Sequence, residues 1–339
     1  MKTVSQTHTP TSPGRSVHYM GDFPVNDNVL AQFPAGTQVR SANRLLKSAW
    51  TVTARLDLKL PGGSEQRIFL KSAPGSHGHT LMEGEFNAMS ELYKWVPDLV
   101  PKPLAFGRYA GTDIEAYFFL SEYTDVQETM PDPSKLCAGL GRVPQYVNWE
   151  KSWKAFFIRL LKHEDLEIVE NRLISDVVPR LLGALETGGR SIKPSLIHGD
   201  LWEGNTGTTR EDGNIYIFDS AAFYGHNEME IGDWRCHYNR IHDKRYTESY
   251  LHHYGGPSEP EDEWEDRNRL YSVYFNIIYS VNHLSQGTAV RQVAYNDMCY
   301  LVDKFAPFLD GNCPSKLEDS QMATLSKERD HTVGTEQVD

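Results

Sequence analysis

Residues His198–Asn205 read His-Gly-Asp-Leu-Trp-Glu-Gly-Asn and are the most informative segment of the chain. An Asp-Gly-Asn turn and the extended run Ile215–Asp219 follow it, which predicts a short β-hairpin that ends on a carboxylate. The two segments contribute carboxylate oxygens from Asp200 and Asp219 and an amide oxygen from Asn205. Such groups accept protons or bind a divalent cation, so we expect one polar site here.

The spacing of these residues is that of a phosphoryl-transfer loop. In the kinase motif H-R-D-x-x-x-x-N, the Asp accepts the hydroxyl proton, the Asn binds a metal ion, and a second metal-binding Asp follows. The chain has this spacing with Gly199 in place of the arginine. We therefore predict Asp200 as the base and Asn205 and Asp219 as metal ligands. A lone His-Gly-Asp is more often a turn whose Asp caps a helix, so the hypothesis needs the features that precede the loop.

Those features lie in the first third of the chain. Alternating apolar and polar residues predict a β-hairpin over Trp50–Leu60 and Arg67–Lys71. Helical periodicity over Leu81–Val96 places Glu85 at the edge of the apolar stripe. A lysine at the end of a strand is usually a solvated surface residue. A strand lysine followed by an inward glutamate on the next helix, however, matches the ion pair that positions the nucleotide phosphates in kinases.

The order of these elements predicts an α+β, bilobal protein-kinase-like fold, with a β-rich N-lobe that contains one helix and a mostly helical C-lobe. Ala116–Glu122 is a further buried strand of the first lobe, and helical spacing dominates from Trp149 onward. The predicted domains are a disordered tail over 1–20, a nucleotide-binding N-lobe over 21–123, a helical C-lobe with the catalytic loop over 124–312 and a disordered tail over 313–339.

Composition restricts the class of protein. A chain of 339 residues with 39% hydrophobic content can bury the core of two lobes. The net charge of -12 argues against nucleic-acid or anionic-membrane partners. The N-terminus has no apolar run typical of a secretory signal, and the four cysteines lie far apart, which predicts no disulfide framework. We therefore expect a cytoplasmic protein, whose oligomeric state stays open.

Two longer runs carry a resemblance to a known family. Leu196–Asn205, with Trp202 inside H-G-D-L-W-x-G-N, and Phe218–His226 resemble the fructosamine/ketosamine 3-kinase family, especially its fungal members. Aminoglycoside and choline kinases share H-G-D but generally lack that tryptophan. The likeness also includes Phe69–Lys71 and Glu83–Phe86. It places the chain within the protein-kinase-like and aminoglycoside phosphotransferase superfamily.

The resemblance implies ATP- and Mg²⁺-dependent phosphorylation of the 3-hydroxyl of ribulosamine or fructosamine on protein lysines, which promotes deglycation. The expected partners are glycated proteins or small ketosamines. The site residues that it implies are Asp200 as base, Asn205 and Asp219 at the metal, Lys71, Glu85, Ser48, Trp50 and Glu122 at the nucleotide, and Trp202 and His198 at the substrate. For His198 a purely structural hydrogen-bonding role stays open.

Two alternatives remain at this point: another small-molecule kinase of the aminoglycoside/choline type, or a non-catalytic nucleotide-binding pseudokinase. The pseudokinase hypothesis is motivated by Leu136–Arg142, where the chain skips a segment that family members carry as a helix. The chain also lacks a G-x-G-x-x-G loop, so the turn Leu45–Thr51 would cover the nucleotide phosphates. The sequence leaves open which ketosamine is preferred and whether the sugar must be on a protein.

Overall fold

The computed structural model describes residues 19–47, 51–127, 129–140, 152–161, 167–282 and 284–309. The chain divides into two compact units, one made of residues 1–143 and 198–223 and the other of residues 144–197 and 224–339. The sequence assigned the catalytic loop to the helical lobe, whereas His198–Phe223 groups with the N-terminal sheet in this division. The predicted tails fall almost wholly outside the described residues.

Strands make up most of the first unit, and helices make up most of the second. The strands are β1 Gln38–Lys47, β2 Val52–Lys59, β3 Glu65–Pro74, β4 Pro103–Arg108, β5 Ala116–Glu122, β6 Val126–Gln127, β7 Ser195–Ile197, β8 Thr206–Thr209, β9 Ile215–Ile217 and β10 Phe223–Gly225. The α-helices are α1 Asp27–Leu30, α2 Gly75–Trp95, α3 Pro133–Leu140, α4 Trp153–Leu161, α5 Glu167–Arg172, α6 Val178–Ala184, α7 Lys244–Tyr254, α8 Trp264–Asn282 and α9 Leu284–Phe305. A π-helical turn covers Leu173–Val177, and 3₁₀ turns cover Glu203–Asn205, Asn227–Arg235, Arg240–His242 and Glu261–Glu263.

The first unit is built on a five-stranded antiparallel sheet in the order β1-β2-β3-β5-β4. Its central strand, β3, alternates buried Ile68 and Leu70 with more exposed residues, as expected for a sheet with one face in a core. Phe118 and Leu120 of β5 complete that core beside them. This unit also contains a small sheet in the order β6-β8-β9, in which β8 and β9 follow the loop His198–Asn205.

Helix α2 begins six residues earlier than the periodicity predicted, at Gly75 rather than Leu81. Gly75 has a φ of +72°, which lets the chain turn into the helix directly from β3. At Gly78 a side chain would collide with the backbone of Ala73, so this glycine lets the first turn lie against the strand end. The predicted phase is confirmed further on, because Met82, Glu85, Ala88, Met89 and Leu92 are buried.

The second unit is helical around buried residues of α8 and α9, including Leu270, Val273, Met298 and Leu301. A β-sheet region followed by a helical region confirms the predicted α+β class. No helix among the described residues is long and apolar enough to cross a membrane. Contrary to the expectation from cysteine spacing, Cys299 is disulfide-bonded.

A buried polar network runs through the second unit. Trp153 Nε1–H donates to the Tyr271 hydroxyl at 2.9 Å, and that hydroxyl lies 2.8 Å from His226 Nδ1. The tyrosine hydroxyl accepts from the indole, and its own buried proton is paired when it donates to His226 Nδ1, which leaves Nε2–H of the neutral ring to donate to Ser258 Oγ at 2.9 Å. Burial lowers the pKa of His226 to about 4, so the ring is neutral in this network.

An ion pair next to this network has no exposed side-chain surface. Arg267 Nε and Nη2 donate to the two carboxylate oxygens of Glu228 at 2.7 and 2.9 Å, and both side chains are 0% exposed. Arg267 also donates to the Ser258 and Pro260 carbonyls, and the Ser258 N–H donates to Glu228 at 2.7 Å. The pair is therefore bidentate and embedded in backbone hydrogen bonds, so each charge depends on the other.

We expect Arg267→Met to lower the free energy of unfolding by about 3–5 kcal/mol, because it leaves the Glu228 carboxylate buried without its partner. The matched control is Arg245→Met, which removes an exposed pair to Asp243 with a separation of 2.8 Å. That change should leave the free energy of unfolding nearly unchanged, because an exposed pair is screened by solvent. Urea unfolding of both variants measures the difference, and equal losses would contradict the assignment.

Candidate active site

Lys71 links the sheet to helix α2. It lies within β3, opposite Thr53 of β2 and Phe119 of β5, rather than at the strand end that the sequence predicted. Its Nζ is 2.8 Å from Glu85 Oε2 and also binds Asp219 Oδ1. The structure therefore brings the predicted lysine and glutamate together and adds the second acid of the loop region.

The ionisation of this cluster follows from its burial. Glu85 is 8% exposed, and desolvation raises its pKa while the Lys71 charge opposes that rise. Burial acts to lower the pKa of Lys71, but the two carboxylates outweigh it and hold the pKa above its ordinary value. Lys71 is thus a fixed cation in a partly desolvated environment.

Asp219 has a backbone conformation that most residues avoid. It follows β9 with a φ of +57°, and it is the only non-glycine residue with positive φ in the described part of the chain. Aspartate tolerates this left-handed region better than most residues do, and strained residues of this type concentrate at functional sites. Its side chain is 49% exposed, so the carboxylate contacts Lys71 and solvent together.

Asn205 connects the two acids. Its Nδ2 donates to the Asp200 carbonyl at 2.8 Å, to Asp200 Oδ2 at 2.9 Å and, more weakly, to the Asp219 carbonyl at 3.4 Å. The Phe218 N–H donates to the Asn205 carbonyl at 3.0 Å, which fixes the hairpin end against the loop. No described residue donates to Asn205 Oδ1, so the amide oxygen remains available as an acceptor.

The Asp200 carboxyl has the properties of a base that works near neutral pH. Burial raises its pKa to about 6, and the negative charge of Asp219 acts in the same direction. The hydrogen bond from Asn205 and the charge of Lys71 partly offset this rise. The carboxylate therefore binds a proton more readily than a solvated aspartate, yet it is mainly ionised at pH 7.

His198 is fully buried and holds the loop in place. Its Nε2 is 3.1 Å from the Phe218 carbonyl, and burial lowers its pKa to about 4, so a neutral ring donates this bond. Ser220 Oγ donates to the His198 carbonyl at 3.0 Å. These contacts favour the structural role over substrate contact. No local pattern in the sequence marks Ser220 as the partner of a carbonyl 22 residues away.

Gly199 stands where the kinase motif has an arginine, and its backbone explains why an arginine is absent here. Its φ is +80°, where only glycine fits without strain. A side chain here would also place its Cβ 2.7 Å from the Ala221 carbonyl oxygen and 3.2 Å from the Phe223 ring. The loop therefore packs directly against the segment that follows Asp219.

The remaining predicted residues divide into three cases. Trp202 lies in the same loop, with its side chain 39% exposed. Glu122 ends β5 with an exposed side chain; its backbone N–H donates to the Lys102 carbonyl at 2.9 Å, and its carbonyl accepts from Ser121 Oγ at 3.3 Å. Ser48 and Trp50 lie outside the described residues.

The chain is similar in sequence to known kinases. A family model described as Fructosamine kinase matches residues 135–293. A chloroplastic protein-ribulosamine 3-kinase from Oryza sativa subsp. indica is 26% identical over 255 residues, covering 67% of this chain and 70% of that protein. The match to the family model includes the whole segment from His198 to Phe223, and the match to the rice protein extends over 255 residues, so the similarity rests on more than one motif.

Two solved structures share the fold. A candidate fructosamine-3-kinase from Thermobifida fusca YX-ER1 has a TM-score of 0.56 at 19% identity, covering 82% of this chain and 99% of that chain. A thermostable mutant of aminoglycoside phosphotransferase APH(4)-Ia, in a ternary complex with AMP-PNP and hygromycin B, has a TM-score of 0.52 at 12% identity, covering 78% and 94%. The fold is therefore that of the kinase-like phosphotransferases. With the family match and the rice relative, this shows that the chain is a kinase-type enzyme related to the fructosamine kinase family.

Proposed function

We propose that the chain phosphorylates the 3-hydroxyl of a ketosamine, ribulosamine or fructosamine, with ATP as the donor, and thereby promotes deglycation. One observation carries the proposal: a single cluster joins Lys71, Asp200, Asn205 and Asp219 through ion pairs and hydrogen bonds. A pseudokinase usually lacks the lysine or a metal ligand, and this chain has both. The similarity to fructosamine kinases supports the ketosamine as acceptor.

In the proposed reaction, Asp200 accepts the proton of the acceptor hydroxyl. The hydroxyl oxygen forms a bond to the γ-phosphorus as the bond to the bridging oxygen breaks, and ADP leaves with that electron pair. Asp200 Oδ2 is held by Asn205 Nδ2 at 2.9 Å, which fixes the orientation of the carboxylate. Its raised pKa makes it a stronger base than an exposed aspartate without protonating it at pH 7.

The residues present fit a magnesium ion. Mg²⁺ prefers oxygen ligands and is usually held by one or two protein groups together with nucleotide phosphates. Asn205 directs Nδ2 toward Asp200 and keeps Oδ1 free, and the Asp219 carboxylate is half-exposed. Asn205 and Asp219 would hold the ion, which when bound neutralises charge on the transferring phosphates.

Lys71 would place its ammonium group on the α and β phosphates, with Glu85 holding it at 2.8 Å. The family resemblance adds Ser48, Trp50 and Glu122 to the proposed nucleotide site. All three belong to the predicted nucleotide-binding lobe, residues 21–123. The AMP-PNP complex of the aminoglycoside phosphotransferase with this fold supports ATP as the donor.

The acceptor side of the proposal rests on Trp202. Its exposed indole lies two residues after the base, where an aromatic face can contact the carbon-bound hydrogens of a sugar ring. We propose that glycated proteins or small ketosamines in the cytoplasm are the substrates. The net charge of -12 favours encounter with lysine-rich targets.

We expect ADP release that depends on a ribulosamine- or fructosamine-bearing lysine and falls by about 100-fold or more in Asp200→Ala, because the general base is lost. A coupled ADP assay with the glycated lysine derivative, unmodified lysine, an aminoglycoside and choline measures both effects. Turnover that needs no acceptor and survives Asp200→Ala would exclude the proposal. Turnover only with the aminoglycoside or choline would assign the other kinase class.

The rate should fall with pH as Asp200 takes up its proton. With a pKa of about 6, the ionised fraction decreases through pH 6. We therefore expect kcat/KM for the acceptor to be about tenfold lower at pH 5 than at pH 7. Initial rates from pH 5 to 8 measure this, with circular dichroism at each pH as the control for folding. A flat profile over the folded range would show that another group limits the rate.

Lys71→Met should lower kcat/KM by about 100-fold, because the phosphates lose their cation and Asp219 loses its partner. Lys94→Met is the matched control, since Lys94 is an exposed lysine of helix α2 that pairs with Glu91 on the same helix. Equal activity of the two variants would contradict the role given to Lys71.

A further inference from the structure

Trp202 and Gly204 contact one another within the catalytic loop. A side chain at position 204 would place its Cβ 2.5 Å from Cζ2 and 2.6 Å from Cζ3 of the Trp202 indole, and closer still to Cη2. These distances are far inside van der Waals contact. The six-membered ring of the indole therefore occupies the space that any other residue at position 204 would fill.

The backbone does not require glycine at this position. Gly204 is absent from the glycines with positive φ in the described residues, and it lies in the middle of the 3₁₀ turn Glu203–Asn205. Alanine could therefore adopt the same backbone conformation without strain. The three nearest atoms that constrain this position all belong to the indole, which makes Gly204 different from Gly199 in the same loop.

A collision between a side chain at position 204 and the indole would be relieved by movement of the indole. The three ring atoms are the far end of the Trp202 side chain, and the indole is 39% exposed. Rotation of the tryptophan toward solvent relieves the contact at little cost to the fold. A methyl group at position 204 thus moves the indole rather than the loop.

We propose that Gly204 is a positioning residue whose missing side chain seats the Trp202 indole as the platform for the sugar ring of the acceptor. The inference rests on the proposed function and adds to it the element that fixes the acceptor. A fixed ring two residues from Asp200 presents its face to the sugar, so displacement of the ring weakens binding of the acceptor. Aromatic contact gives this platform its affinity.

A purely structural role for Gly204 is the competing explanation. The turn holds Asn205, whose N–H donates to the Trp202 carbonyl at 3.0 Å and whose amide binds Asp200. If alanine disturbed the turn, the Mg²⁺ dependence and kcat would change along with the acceptor KM. If it acts through the indole, only the acceptor KM changes.

A double-mutant cycle separates the two explanations. We expect Gly204→Ala and Trp202→Ala each to raise the acceptor KM by about tenfold, with the KM for ATP and the Mg²⁺ dependence unchanged. The double variant should match Trp202→Ala, because without the indole the methyl group has nothing to displace. Gly62→Ala is the control, since a Cβ there meets nothing within 4 Å and Gly62 has no positive φ.

A second measurement is independent of catalysis. Quenching of tryptophan fluorescence by acrylamide reports the exposure of the Trp202 indole once the signal of Trp202→Phe is subtracted. The quenching of this indole should rise in Gly204→Ala but not in Gly62→Ala. Unchanged quenching, or additive losses in the double variant, would overturn the inference. Increased quenching in a chain with no ketosamine kinase activity would confirm the seating of the indole and reject the proposed function instead.

Discussion

The ion pair network of Lys71 is the interaction on which the first unit depends. Its ammonium group binds Glu85 on α2 and Asp219 after β9, and Asp219 is 148 residues away in sequence. A sheet strand, a helix and the loop region thus share one cation in a largely desolvated place. Because an unpaired charge there would be costly, each of the three elements constrains the position of the others.

Much of this arrangement could be predicted because it depends on local patterns. The helical phase put Glu85 on the inward edge of α2, and strand alternation put Lys71 on the preceding hairpin. The turn before Ile215–Asp219 predicted that Asp219 would end a strand close to the loop. In each case the period of the backbone decides the direction of the side chain, so the sequence alone is informative.

Other features depend on contacts between distant segments and could not be predicted. Helix α2 starts at Gly75 because Gly78 packs against Ala73, although the local sequence is a poor helix former. The positive φ of Asp219 and the bond from Ser220 to the His198 carbonyl arise where two segments meet. No periodicity in a single segment carries that information.

The two buried ion-pair networks differ in their access to solvent. The Lys71 network is a candidate for catalysis, whereas the pair of Arg267 and Glu228 contributes to the stability of the fold. Arg267 and Glu228 satisfy each other and the surrounding backbone and are fully enclosed, so no ligand can reach them. Asp219 is half-exposed, and its carboxylate lies near that of Asp200, whose pKa its charge helps to raise. Because their negative charges repel, the carboxylates of Asp200 and Asp219 together favour the binding of a cation. The exposure of Asp219, rather than the burial of Lys71, therefore makes this network one that a ligand can use.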